Sequence, residues 1–340
     1  MINVGIVGAT GYAGEELIDI LLRHPDVRIT DVSAKIDQPK NISEIFPRLK
    51  GRIGLVCAEP DLRQIIDKCD LVFLALPHTV SMEIAPVLLT AGKRVIDFSA
   101  DYRLADTAVY TEFYKTKHKD KANIQKAVYG LPELYRQKIR SAQLIANPGC
   151  YPTAAILALA PLTALNLVDT DSIVIDAKSG VTGAGKKVAE ALLFSEINED
   201  FKAYKVDTHQ HAPEINQELS KLAGKKLKTT FVPHLLPMNR GILETIYVNR
   251  SRKPQAASRK LTDLYRKFYK KEPFVRIREE GDFPRIKDVA GTNFCDIGIK
   301  DSGENVIIIS VIDNLLKGAS GQAVQNMNIM YKFPEHTALA

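Results

Sequence analysis

Cys150 stands in Asn147-Pro-Gly-Cys-Tyr-Pro-Thr153, a tight turn at Pro148-Gly149 followed by an apolar run from Ala154 to Ala160. Such a run reads as a buried helix. Pro152 suits its first turn, where a missing N–H costs nothing. Cys150 therefore falls at or just before a helix N-terminus, whose partial positive charge favours thiolate over thiol. A loop-mounted thiolate is a nucleophile for covalent catalysis, although a buried structural cysteine would show the same letters. A second group of reactive types is His209-Gln-His211-Ala-Pro213-Glu214, ahead of a helix from Glu214 to Ala223 closed by Gly224. Near a helix N-terminus the charged form of histidine is disfavoured, so the imidazole stays neutral and able to accept a proton. A His-x-His pair can also hold a metal, but no third ligand cluster accompanies it here.

These groups need elements to position them. Ile2 to Val7 reads as a strand, then Gly8-Ala-Thr-Gly11-Tyr-Ala-Gly14, then a helix with apolar spacing at Leu17, Ile18, Leu21 and Leu22. Strand, glycine turn and helix make the context in which a backbone cradles a dinucleotide pyrophosphate, although the pattern is GxxGxxG rather than GxGxxG. The next strand, Arg28 to Val32, ends in Ser33-Ala-Lys35 rather than in a carboxylate. A hydroxyl and a cation there suit a ribose 2′-phosphate, hence NADP; a solvated surface charge is the other reading of Lys35. Asp70 to His78 is a near-continuous apolar strand, as in a parallel sheet covered on both faces, and Leu76-Pro77-His78 at its end should face the cofactor. A helix from Ser81 to Ala91 and strands from Arg94 to Phe98 and from Leu144 to Ala146 complete this half. Arg103, in Asp101-Tyr-Arg-Leu104, could grip a phosphate or carboxylate or pair with Asp101 or Asp106. Residues 107–126 are polar and Lys-rich and read as an irregular surface connection.

The second half reads differently. A strand from Ser172 to Lys178 runs into Ser179-Gly180-Val-Thr182-Gly183-Ala-Gly185, either an anion nest or a plain mobile loop. Thr229 to His234, Gly241 to Asn249 and Phe294 to Lys300 alternate like strands of a largely antiparallel sheet, and Val306 to Ile312 is a strongly apolar strand. Asp313-Asn314-Leu-Leu-Lys317-Gly318 then opens a final helix to Met330. The fold class is thus α/β: a Rossmann-type dinucleotide-binding domain, residues 1–149, completed by a C-terminal helical segment 314–340. An α+β catalytic and oligomerisation domain, 150–313, makes up the rest.

The 340 residues are 45% hydrophobic and 25% charged, with a formal net charge of +6. That suits an acidic small molecule; the basic residues are scattered, which speaks against nucleic acid. No apolar run is long enough to span a bilayer, and the chain opens directly into a strand, leaving no room for a signal peptide. Four cysteines without CxxC spacing speak against zinc and against a disulfide framework, so a cytoplasmic setting is expected.

Taken together, the glycine loop, Leu76-Pro77-His78, Asp101-Tyr-Arg103-Leu, Asn147-Pro-Gly-Cys150-Tyr-Pro-Thr153, His209-x-His211-x-Pro-Glu214 and Asn314-Leu-Leu-Lys317-Gly318 resemble the N-acetyl-γ-glutamyl-phosphate reductase family, within the aspartate-semialdehyde dehydrogenase group. The resemblance covers nearly the whole chain, with Gln210 where the family commonly has arginine. It implies NADPH-dependent reduction of an acyl phosphate to a semialdehyde through a Cys150 thioester, in arginine biosynthesis. It implies Cys150 as nucleophile and the histidine pair as acid–base element, with His211 favoured over His209 as nearer the helix start. Gly8, Thr10, Gly11, Tyr12, Gly14, Ser33, Lys35, Pro77, His78, Gly180, Gly183, Asn314 and Lys317 would hold the cofactor. Arg103, Asn147 and Glu214 would meet the substrate. No metal is implied, and a homodimer or homotetramer is. Two rivals are the same reduction on N-acetyl-aminoadipyl phosphate, one methylene longer, and a non-catalytic NADP sensor. A short-chain dehydrogenase shares the opening glycines but needs Tyr-x-x-x-Lys, which none of the 12 tyrosines supplies.

Overall fold

Val4 to Val7 is an apolar run around a single glycine, and strand β1 (Ile2–Val7) is accordingly interior to a sheet. A computed structural model describes residues 1–251 and 260–339, which group into two units: Met1–Pro148 with the segment from Ala319 onward, and Gly149–Gly318. In the first unit β1 is joined by β2 (Val27–Ser33), β3 (Leu71–Leu74), β4 (Arg94–Asp97), β5 (Val128–Tyr129) and β6 (Leu144–Ala146). They lie in the order β2-β1-β3-β4-β6-β5, every neighbour parallel. This is the arrangement that fully apolar strands predict, because parallel sheets are covered on both faces. Helices Tyr12–Leu21 and Ser81–Thr90 follow β1 and β3.

The helix Gly321–Tyr331 belongs to this unit and is buried along nearly its whole length. Polar side chains tie it in. His24 bonds Asn328 at 3.0 Å, Asn326 donates to the Gly130 carbonyl at 2.8 Å, and Arg94 donates to the Met330 carbonyl at 2.7 Å.

Residues 107–126 correct the sequence expectation. They hold helices Thr107–Tyr114 and Lys121–Ile124, and Tyr110, His118, Asp120 and Ile124 are buried. The Tyr102 hydroxyl donates to Asp120 and the Tyr110 hydroxyl to Asp101, each at 2.7 Å, while His118 Nε2 bonds the Asp101 carbonyl at 2.6 Å. Surface lysines conceal this polar core, which has no apolar period to reveal it.

The second unit is built on β7 (Val174–Gly180), β8 (Lys202–Ala203), β9 (Thr230–Leu236), β10 (Ile242–Asn249), β11 (Val275–Ile277), β12 (Cys295–Asp301) and β13 (Asn305–Ile312). Their order is β8-β9-β7-β10-β13-β12-β11, with β9–β7 and β11–β12 parallel and the other four pairings antiparallel. Helix Cys150–Ala164 packs on this sheet with every residue from Tyr151 to Thr163 buried. Pro161 lies inside that helix and supplies no N–H to the Leu157 carbonyl four residues back; the Tyr269 hydroxyl donates to it instead, at 2.5 Å. Helix Leu261–Phe268, which the sequence reading missed, supplies Tyr265 to the neighbouring Ala158 carbonyl, also at 2.5 Å.

Candidate active site

The apolar run after Cys150 forces a helix, and the residue before it decides how that helix starts. Gly149 is its N-cap, extended at φ −67° and ψ 155°, and Cys150 is the first helical residue. Its thiol is half-buried, whereas Cys57, Cys69 and Cys295 are buried. Burial pushes the thiols of Cys57 and Cys69 up, the reverse of what a nucleophile needs. Gly318 packs on the same spot: a methyl group there would stand 2.8 Å from Cys150 Cβ.

Helix His211–Ala223 begins three residues earlier than the pattern suggested, with Pro213 in its first turn. Its first N–H, on His211, donates to Nδ1 of His209 at 3.1 Å. A neutral His209 therefore carries its proton on Nε2. That nitrogen lies 3.5 Å from the Tyr204 hydroxyl, which is 3.3 Å from the Tyr151 hydroxyl, which is 3.2 Å from the His234 carbonyl. A carbonyl only accepts, so Tyr151 donates to it and Tyr204 donates to Tyr151. The chain thus has one direction, from His209 Nε2–H outward. His209 is buried; its ring meets Tyr151 edge-on at 5.6 Å and His211 at 4.8 Å. Tyr151 also meets the His211 ring at 5.8 Å. Burial raises the pKa of Tyr204, pushed up to about 12, and raises that of Tyr151 further, with the neighbouring Cys150 contributing to both. Neither phenol titrates in the working range, so both act as fixed hydrogen-bond partners. Tyr151 lies within the cysteine motif and was open to being singled out; Tyr204 sits in a stretch without any motif.

Glu214 was expected at the substrate. It is buried, and its carboxylate accepts the Gly149 N–H at 2.9 Å. Asn147 and Arg103 are likewise buried in the first unit. The Asn147 side chain donates to the Ala319 carbonyl and accepts from Asn326, while Arg103 donates to the carbonyls of Asn147 at 2.7 Å and Phe98 at 2.6 Å. These bonds hold backbone together. Asp101 accepts the N–H groups of Thr79 and Met82 at the start of helix Ser81–Thr90.

The glycine loops differ in what they leave open. Gly8 has φ +92° and a Cβ there would lie 2.2 Å from the Ala75 carbonyl oxygen; one at Gly14 would lie 2.6 Å from that of Ala9. Fold packing demands both glycines. At Gly11 an added Cβ meets only the Gly8 oxygen, at 3.6 Å, and no side chain caps the helix that Gly11 begins. A glycine unexplained by packing, at the start of a helix that no side chain caps, fits a pyrophosphate at Tyr12 and the residues around it. Thr10 lies within the same turn. Ser33 is buried and its carbonyl accepts from Gly8 and Ala9, so it shapes the loop, while Lys35 is exposed. Pro77 and His78 are exposed beyond β3, and His78 Nδ1 accepts the Ala100 N–H at 3.0 Å.

In the second loop the N–H groups of Gly180, Val181 and Thr182 bond the carbonyls of Gly241, Met238 and Asn239. The donors of an anion nest are thereby engaged. Asn314 accepts from Gly241 N–H at 2.7 Å and donates to the Thr182 hydroxyl at 2.9 Å, and Gly183 lies against Ser179. Lys317 is buried, with Nζ 5.7 Å from the Phe274 ring centre. Among the described residues no group of three or more His, Cys, Asp or Glu is arranged to hold a metal, and no helix is long and apolar enough to cross a membrane.

This geometry has known counterparts. Residues 3–142 match the semialdehyde dehydrogenase NAD binding domain and residues 150–314 the semialdehyde dehydrogenase dimerisation domain. N-acetyl-γ-glutamyl-phosphate reductases of Geotalea daltonii and Symbiobacterium thermophilum are 51% and 48% identical to the chain. The first match covers 100% of this chain and 98% of the relative, the second 99% and 97%. The chain belongs to the N-acetyl-γ-glutamyl-phosphate reductase family. It is an oxidoreductase of the semialdehyde dehydrogenase group. Two solved structures share its fold. Aspartate semialdehyde dehydrogenase II of Vibrio cholerae, complexed with ASA, has a TM-score of 0.72 at 18% identity, covering 98% of both chains. The Candida albicans enzyme with NADP has a TM-score of 0.72 at 15% identity, covering 97% of this chain and 98% of its own. The family's two-domain α/β architecture is the one the sequence pattern called for.

Proposed function

We propose that the chain reduces N-acetyl-γ-glutamyl phosphate to N-acetylglutamate semialdehyde and phosphate with NADPH, in arginine biosynthesis. The observation that carries this is the half-buried Cys150 at the head of a buried helix, in the same unit as a histidine whose proton is held on Nε2. Cys150 attacks the acyl carbon as thiolate, the C–O bond to phosphate breaks, and a thioester forms. When bound, NADPH supplies the hydride that brings that carbon to the aldehyde level. The His209 Nε2–H turns from the Tyr204 hydroxyl to hydrogen-bond the oxyanion left by hydride addition, which then collapses with breakage of the C–S bond, releasing the semialdehyde and the thiolate. The hydrogen bonding shifts preference from His211 to His209, because the His211 N–H fixes the His209 tautomer. The uncapped helix behind Gly11 holds the pyrophosphate, and Lys35 is free in space to meet the 2′-phosphate.

Three half-buried residues on one face of the second sheet, Thr245, Ile307 and Ile309, with the more exposed Tyr247, suit a second copy of the chain, giving a homodimer or a tetramer built from it. A thiolate enzyme also belongs in a reducing compartment, the cytoplasm.

The test is phosphate-dependent NADP reduction with the semialdehyde as substrate, alongside its one-methylene-longer homologue. Near-complete loss of turnover in Cys150→Ser, with NADPH still bound, is expected. A Cys150→Ser protein of near-normal activity would overturn the assignment, and a higher kcat/KM for the longer semialdehyde would move it to the aminoadipyl substrate.

A further inference from the structure

The buried Glu214 is bonded one residue from the nucleophile, and no step of the reaction as written uses it. Its carboxylate accepts the N–H of Gly149, the residue that starts the Cys150 helix. The two helices concerned, His211–Ala223 and Cys150–Ala164, pack directly against each other. The bond therefore fixes the N-cap of one helix to the first turn of the other, and Gly318 packs against Cys150.

We infer that Glu214 is a positioning residue: it fixes the Cys150 backbone, and its carboxylate, bonded into the terminus that would stabilise the thiolate, works against ionisation of the thiol. The inference rests on Cys150 being the nucleophile. A helix N-terminus stabilises a thiolate, and a carboxylate bonded into that same terminus offsets it. An early thiolate is a liability, since it reacts with oxidants and stray electrophiles. Other titratable groups around the thiol are Tyr151 on its own helix, Tyr204, the His209 and His211 rings against Tyr151, and Lys317 next to Gly318. Conservative changes at residue 214 leave all of these in place, so the contribution of one carboxylate can be separated from theirs.

Two variants divide charge from reach. Glu214→Gln keeps an oxygen that accepts the Gly149 N–H and removes the charge. Glu214→Asp keeps the charge and shortens the side chain by one methylene. The full-length protein is titrated with iodoacetamide across pH, and modification of Cys150 is followed by peptide mass. Glu214→Gln is expected to lower the pH midpoint, so that well below it Cys150 alkylates about tenfold faster than in the parent. Glu214→Asp is expected to keep the parent midpoint and to lose about tenfold in kcat with little change in KM. An unchanged midpoint in Glu214→Gln overturns the electrostatic role, and full kcat in Glu214→Asp overturns the positioning role. An active Cys150→Ser protein would instead defeat the reaction assignment, and the alkylation midpoints would still stand as a separate measurement.

Discussion

The two glycine-rich loops look alike in the sequence and end differently in the structure. Around Gly8 to Gly14 the glycines let the backbone pass close to Ala75 and Ala9 and then leave a helix terminus without a cap. Around Gly180 to Gly185 the first three N–H groups are already bonded to the 238–241 segment, and Asn314 pins the turn through Thr182. Both loops spend amides on nearby carbonyls, Gly8 and Ala9 on that of Ser33, but only the first runs into an α-helix start that no side chain caps. A glycine count therefore says little about ligand binding; what matters is what the loop leads into once nearby carbonyls have taken its amides.

The largest effect that could break this contrast is Gly8→Ala. A side chain at φ +92°, 2.2 Å from the Ala75 oxygen, cannot be accommodated without moving two strands, so soluble folded protein should be lost. Circular dichroism and thermal melts check it. Gly11→Ala comes next. It should leave the melting temperature nearly unchanged and weaken NADPH at least about tenfold by fluorescence titration, because its Cβ points at space the cofactor would fill. A normal NADPH affinity there would remove the distinction between the loops.

Thr182→Val probes the other side. It deletes the bonds to the Asn239 carbonyl and from Asn314, worth together about 1–3 kcal/mol. A fall of about 3 °C or more in melting temperature is expected, with NADPH affinity changed less than about threefold.

The smallest effect concerns the strand beside that loop. Glu244 on β10 pairs with Ala177 of β7; it is fully buried and neither carboxylate oxygen has a hydrogen-bond partner in the structure. Burial raises its pKa well above the ordinary value. A raised carboxyl contributes most below its unfolded pKa, and that contribution is lost as pH climbs through the folded value. Stability should therefore fall from pH 5 toward pH 8, and Glu244→Leu should flatten that slope in melts at the two pH values. Identical slopes in parent and variant would show that Glu244 finds a partner.

The strands were legible because their apolar runs are long and regular: β1 and β6 fall where the pattern put them, and β4 ends one residue sooner. The cysteine at a helix start was legible too, since glycine before an apolar run leaves few alternatives. The backbone bonds of Asn147, Arg103 and Glu214 were not: all three side chains are buried, and each reaches a partner far along the chain. Distant partners leave no spacing signal. The same holds for Tyr204, whose value lies in meeting His209 and Tyr151, and for the Ser33 carbonyl, which takes two amides of the glycine loop.

Gly318 has a consequence for engineering. The second unit begins at Gly149 and ends at Gly318, and a Cβ on Gly318 would lie 3.3 Å from the Cys150 Cα. Its two ends are thus almost in touch. Excised at those residues, the unit would be a nearly closed loop of chain that one short linker could make circular, with new termini opened at an exposed turn elsewhere.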